Sequence, residues 1–317
     1  MKTIQNALLL LFALLFLAKS LAAQPPVTHS ALPPAQPLPG EITLQQAITN
    51  AQHFLQQAGL PPSHAPIQQV WLHANPYGLR IWTFQWGGDY AFEVAARTGR
   101  VVFFDNNRRI WEQVHHIGRT GRPLFSTKAQ WQHYIWHFAR RIGLPANAYL
   151  VGMSQFADND PQHTDANPAG SVNAVFSSKP HGYPFLDMGD SMYLDFDPQD
   201  GQLVQMFYHW GEVLPESWRV GISEQAALRI AQAALQKVAA EARASHQYGF
   251  FFYPLVLQPS QKPRLGYVVP NSSWGSRYRT NTTYPMRARL AWEFRLGKRV
   301  VWVDAGDGSL LGGIEYK

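Results

Sequence analysis

The segment Tyr193–Phe207, YLDFDPQDGQLVQMF, limits the fold more than any other stretch of the chain. Apolar and polar residues alternate through Tyr193, Leu194, Asp195, Phe196 and Asp197, the period of a half-buried strand. Asp200-Gly201 then offers a residue free to take the positive φ of a tight turn, and Leu203–Phe207 resumes a β-rich run. The same unit recurs at Ala91–Phe104, with Thr98-Gly99 at the turn, and at Val301–Ile314, with Asp307-Gly308. Three hairpins with one apolar face each require three apolar covers.

Helical patterns upstream of each hairpin supply them. Over Ile42–Gly59, Thr43 and Gln46 form a capping-box pattern, Leu44, Ala47, Ile48, Ala51, Leu55 and Ala58 share one face, and Gly59-Leu60-Pro61 stops the helix. Thr127–Ile142 repeats the design. Thr127 and Gln130 cap it, Trp131, Ile135, Phe138 and Ile142 make the stripe, and Gly143-Leu144-Pro145 ends it. Ser223–Ala242 carries Ala227, Ile230, Ala231, Ala234 and Val238. A recurring cap, face and stop indicates duplication. Strands are expected at Val70–Leu72, Arg80–Trp86, Val172–Phe176, Phe250–Leu257, Leu265–Val269 and Leu290–Phe294. The expected fold is α+β: three modules, 42–117, 118–217 and 218–317, each one helix packed on an antiparallel sheet that ends in a hairpin.

Residues 1–23 read as a signal peptide, from Lys2, the apolar run Ala7–Ala18 and the small residues Ala22-Ala23. Residues 24–41 read as a Pro-rich linker. An exported protein, periplasmic or extracellular, with no stable membrane insertion after leader cleavage is expected. The chain has no Cys, which excludes disulfides and thiolate chemistry. A net charge of +6 over 317 residues, without a long basic run, gives no nucleic-acid footprint.

A helix that opens with Ile-Thr or Ile-Ser, followed by strands ending in a V-D-x-x-x-G-x-L hairpin, resembles the PepSY domain. Val303–Leu310 is the nearest match; Leu194–Leu203 is similar with a longer turn, and Glu93–Val101 lacks the acidic turn residues. Domains of this kind occur in the propeptides of thermolysin-like metallopeptidases and in exported bacterial proteins. The resemblance implies a non-catalytic role: binding or restraining a peptidase or another envelope protein.

Candidate chemistry is sparse, and no cofactor is expected. His133 and His137 have the i,i+4 spacing of a metal pair, but Arg140 and Arg141 follow, and the pair reads as a solvated helix face. His115-His116 lies in a loop after a strand, and adjacent side chains there point apart. Asp195, Asp197 and Asp200 faintly resemble a calcium loop but lack its closing Glu, so they read as a capped turn. Ser154 lacks the second Gly of a nucleophile elbow. Trp274, Arg277, Tyr278, Arg279 and Tyr284, aromatics interleaved with Arg, have the composition of an interface hot spot for a protein partner. Two rivals stand beside this reading: an envelope hydrolase with a site built from 152–192 and 246–288, and a binder of anionic cell-wall polymers.

Overall fold

The computed structural model describes residues 36–75, 78–115, 123–155, 171–187, 189–216, 218–244, 255–278 and 285–316. The expected signal peptide, most of the Pro-rich linker, His116, Arg279 and Tyr284 lie outside the described residues.

Helices form where cap and apolar stripe coincide. In α1, Leu44–Ala58, Thr43 Oγ1 accepts from the Gln46 N–H (3.3 Å) while Gln46 Oε1 accepts from the Thr43 N–H (2.8 Å). Ala47, Ala51, Phe54, Leu55 and Ala58 are buried, and Gly59 at φ 70° ends the helix. After the short α2, Asn107–Val114, comes α3, Lys128–Arg141. It repeats the box with Thr127 and Gln130 and buries Trp131, Ile135, Phe138 and Ala139. In α4, Glu224–Ala244, the Ser223 hydroxyl accepts from the Ala226 N–H (3.3 Å), and Ala227, Ala231, Leu235, Ala239 and Ala242 are buried.

The fold is α+β, with two sheets instead of three. One sheet has eight antiparallel strands: β1 Ile67–Ala74, β2 Arg80–Trp86, β3 Tyr90–Ala95, β4 Val101–Asn106, β5 Tyr149–Gln155, β6 Val172–Ser177, β7 Ser191–Phe196 and β8 Leu203–His209. Their order is β1-β2-β3-β4-β8-β7-β6-β5. The expected sheets of the first two segments are therefore joined edge to edge, with Phe103 opposite Phe207, Phe104 opposite Met206 and Asp105 opposite Gln205. This pairing removes two exposed strand edges at once.

The second sheet runs β10 Arg264–Val268, β11 Met286–Leu296, β12 Arg299–Asp304, β13 Leu310–Glu315, and β9 Val213–Pro215 adds to β11 in parallel. Its outer edge at β10 is met by the connection before β7, where Leu186 donates to Tyr267 O and Tyr267 donates to Pro184 O (both 2.8 Å). Among the described residues no helix is long and apolar enough to cross a membrane.

The hairpin turns share one backbone pattern. Gly99, Gly201 and Gly308 lie at φ 71°, 71° and 76° and donate to Ala95 O, Asp197 O and Asp304 O. Each turn is preceded by a register shift, after Glu93, Asp195 and Trp302. The turn of 194–203 is thus no longer than that of 303–310. Asp197, not Asp195, matches Asp304.

Two expectations are corrected. The stretch before His115, expected as a strand, is helical over 107–114: Asn106 Oδ1 caps the Arg109 N–H (3.1 Å), and Arg108 and Arg109 pair with Glu112. His115 ends that helix. Residues 255–257 lie outside any strand.

Candidate functional site

Helices α1 and α3 cover the same face of the eight-stranded sheet. The apolar row Phe84–Phe92–Phe104–Met206–Leu194–Ala174 runs across six strands beneath them, every member buried. Alternation then fixes what the other face carries. Two further rows of directly opposed residues cross it. One is Gln85–Ala91–Asp105–Gln205–Asp195–Asn173. The other is Thr83–Glu93–Phe103–Phe207–Tyr193–Val175, with Trp71 opposite Thr83 at the edge.

Among the described residues neither α1 nor α3 covers this face, which combines rings with carboxyls. Phe103 and Phe207 have centroids 5.2 Å apart, and Phe207 and Tyr193 5.8 Å. Gln205 donates to Asp105 Oδ1 at 2.7 Å. Asp195 Oδ1 is sealed from solvent and has no hydrogen-bond partner. Removal from water is the largest effect on all three acids. It lifts the Asp105 carboxyl to about 6 against the Gln205 hydrogen bond, with Glu93 adding repulsion. It lifts Asp195 to about 7, with Asp197 and Asp105 adding to the rise and a Ser171 hydrogen bond opposing it. Glu93 is also raised, partly offset by His73 and His209, and the Tyr193 phenol is raised by burial and by Asp195.

The small sheet shows what the same positions do otherwise. Trp302 stands where Glu93 and Asp195 stand, before the register shift. It is buried among Val268, Ala291, Val300 and Leu311, and its Nε1 donates to Glu293 Oε2 (3.1 Å). In the small sheet that face is an apolar cluster around a single acid, Glu293, which Trp302 and Arg264 both hydrogen-bond; the large sheet places three acids there, Glu93, Asp105 and Asp195.

The candidates read from sequence separate accordingly. Asp195 lies on the strand with its carboxyl on the face opposite α1 and α3, whereas Asp197 and Asp200 lie in the turn, so the three do not form one loop site. Both turn carboxylates face the Arg109 guanidinium and cap the turn through the Gln199 and Gln202 N–H groups (2.9 and 3.0 Å). The third turn is built alike, with Arg289 against Asp304 and Asp307. His133 and His137 meet edge to face on the exposed side of α3, centroids 4.4 Å apart. His115 stacks on Trp111, and Ser154 lies on β5.

Of the Arg-aromatic group, Trp274 donates from Nε1 to Val300 O (2.8 Å) and packs with the α4 core. Arg277 is exposed, donates to Ser309 Oγ (3.2 Å) and lies over the Tyr278 ring. Sequence reasoning missed the acid row. Its members come from four strands far apart in the chain, and only the position before each turn glycine hinted at it.

No family model matches the chain, and no curated protein matches it. Among solved structures, the chain is similar to the C-terminal domain of Bacillus megaterium YpeB, at 10% identity and a TM-score of 0.42. The match covers 87% of this chain and 99% of that domain.

Proposed function

We propose that the chain is an exported, non-enzymatic binding protein of the cell envelope that holds a polypeptide partner on the face of the eight-stranded sheet opposite α1 and α3. It is built from three divergent copies of one PepSY-like unit, 42–117, 118–217 and 218–317. The common turn, register shift and helix cap support the copies. The observation that carries the docking surface is the continuity of both rows through the β4–β8 pairing. Neither half alone spans more than four strands. Rings beside hydrogen-bonding groups are what a polypeptide interface needs. A peptidase is the partner that the family resemblance favours.

The test uses the full chain with a photo-crosslinking residue at position 207 or, separately, at 277. After exposure to an envelope fraction, a single product is expected from 207 and its loss on Phe103→Ala. Product only from 277 would move the interface to the segment bearing Trp274, Arg277, Tyr278, Arg279 and Tyr284. One observation favours a hydrolase instead: burial raises Asp195 to about 7, so part of the population keeps its proton near neutral pH, the state a general acid needs, beside Asp105 raised to about 6. Turnover of a cell-wall substrate that Asp195→Asn abolishes would establish that rival.

A further inference from the structure

We infer that two copies of the chain join through β5, the outermost strand of the large sheet, each β5 pairing antiparallel with the other about a twofold axis. The inference does not depend on the docking face proposed above.

The two ladders end at four strands, β1 and β5 in the large sheet and β10 and β13 in the small one. An open strand edge is a template for another chain, and proteins cover or distort the edges they keep single. Two of the four are covered by the chain itself. The β10 edge meets Pro184 and Leu186. Along β13, the Asn271 N–H donates to Leu311 O (2.9 Å) and Asn271 Nδ2 to Gly313 O (2.9 Å), while the Gly313 N–H donates to Asn271 Oδ1 (3.1 Å). The β1 edge is distorted. Its pairing with β2 slips between Gln68 and Trp71, and Gln69 there is left-handed at φ 51°. Such a kink keeps a second strand from lying along it.

The β5 edge has neither the cover nor the left-handed kink. Residues 149–155, Tyr-Leu-Val-Gly-Met-Ser-Gln, hold no charge and no proline. After one extra residue at Val151, Gly152–Gln155 pair with β6 residue for residue. Among the described residues the β5 backbone bonds only to β6. Alternate residues of a strand paired on one side turn N–H and C=O outward. The core also runs out here. The buried row that reaches Ala174 continues to Met153 opposite it, and Met153 and Leu150 pack on the core while staying half-exposed. Val151 is 44% exposed. A strand laid along β5 removes this apolar rim from water.

Two observations name a second copy as that strand. First, the chain already makes this joint once. The runs β1–β4 and β5–β8 stand in mirrored order about the antiparallel β4–β8 pair, with α1 and α3 on one face. That is the geometry of an isologous contact, in which a surface meets its own equivalent. Second, β5 is neutral in a chain of net charge +6, so pairing with itself opposes no like charges. A third observation sets the direction. Lys179 lies over the Tyr149 ring (4.3 Å), and Arg140, which shares a cleft with Ala148, lies over the Trp136 ring (5.3 Å). Both cations flank the start of β5. Antiparallel pairing sends the two sets to opposite ends of the seam, whereas parallel pairing would set them side by side.

The experiment is sedimentation velocity of the full chain over about 1–100 μM, the range in which a micromolar contact shows itself. Twice the mass of one chain is expected at the upper end. Val151→Lys puts a charge on an exposed edge position and should weaken the dimer about tenfold or more. Gln68→Lys, exposed on the β1 edge, should leave it unchanged. Circular dichroism confirms that both variants are folded. Because the chain has no Cys, Val151→Cys and Gln68→Cys each carry a single thiol. A short bismaleimide should join copies through 151 and not through 68.

A single-chain mass throughout, a dimer that Val151→Lys leaves intact, or equal crosslinking from 68 and 151 overturns the inference. A dimer lost only on Gln68→Lys assigns the contact to β1 and overturns it as well. An intact dimer without any envelope crosslink from position 207 supports the β5 seam and removes the docking face alone.

Discussion

At the scale of single residues, Asp195 is a group whose placement works against stability. Its carboxyl titrates near 7 in the folded chain and near 4 in an unfolded one, because burial favours the neutral form. The folded state therefore holds this proton more tightly. The resulting stabilisation is complete below pH 4 and is lost as pH rises towards 7; Asp105 adds a loss of the same sign towards pH 6. Asp307 has the opposite sign: its lowered pKa gives stability present above pH 4 and lost on acidification. Asp195→Asn keeps the shape and removes the titration. In urea unfolding at pH 8 the variant should be more stable than the parent by about 1–3 kcal/mol, and at pH 3 the two should agree within about 0.5 kcal/mol. Equal stability at both pH values would show that the carboxylate is solvated.

At the scale of elements, the turns and caps were the legible part of the sequence. Thr43 with Gln46 and Thr127 with Gln130 form the boxes their spacing predicts, and the three turn glycines take the positive φ that the hairpin pattern requires. These signals are local: donor and acceptor lie within a few residues. Helix α2 escaped because it is only eight residues long and its apolar side is just Ile110, Trp111 and Val114. It is held by the Asn106 cap and by Arg-Glu pairs one turn apart. The turns also differ in how tightly they are packed. A Cβ on Gly201 would lie 2.9 Å from Leu124 Cδ2 and 3.1 Å from the Tyr134 ring. On Gly308 it would meet the flexible end of Ile230 at 3.2 Å, with Ile222 Cδ1 at an ordinary 3.6 Å. Left-handed backbone costs an alanine about 1 kcal/mol at either site, and the clash adds about as much again at Gly201. Gly201→Ala should therefore lower the urea midpoint about twice as far as Gly308→Ala. Equal losses would mean that backbone strain alone is at work.

At the scale of the whole molecule, the feature the sequence conceals is the β4–β8 pairing. Residues about a hundred positions apart meet there, and no spacing rule reports which strand edges will join. The acid row was hidden for the same reason. Asp195 read as one of three turn acids until the register put it opposite Gln205 and Asn173. The pairing also fixes how the molecule comes apart. Phe104 is fully buried opposite Met206, and its ring meets Phe54 from α1, Tyr90 and Phe92. One apolar core joins α1, α3 and all eight strands, whereas the third segment has separate clusters of its own. Phe104→Ala leaves a cavity at the seam and should cost about 3–5 kcal/mol. Because the first two segments share that core, hydrogen-exchange protection of β2, β3, β6 and β7 should fall together by this amount, with a smaller fall in β11 and β12. A fall confined to β1–β4 would mean that the two halves open independently, and that the continuous face exists only while they stay joined.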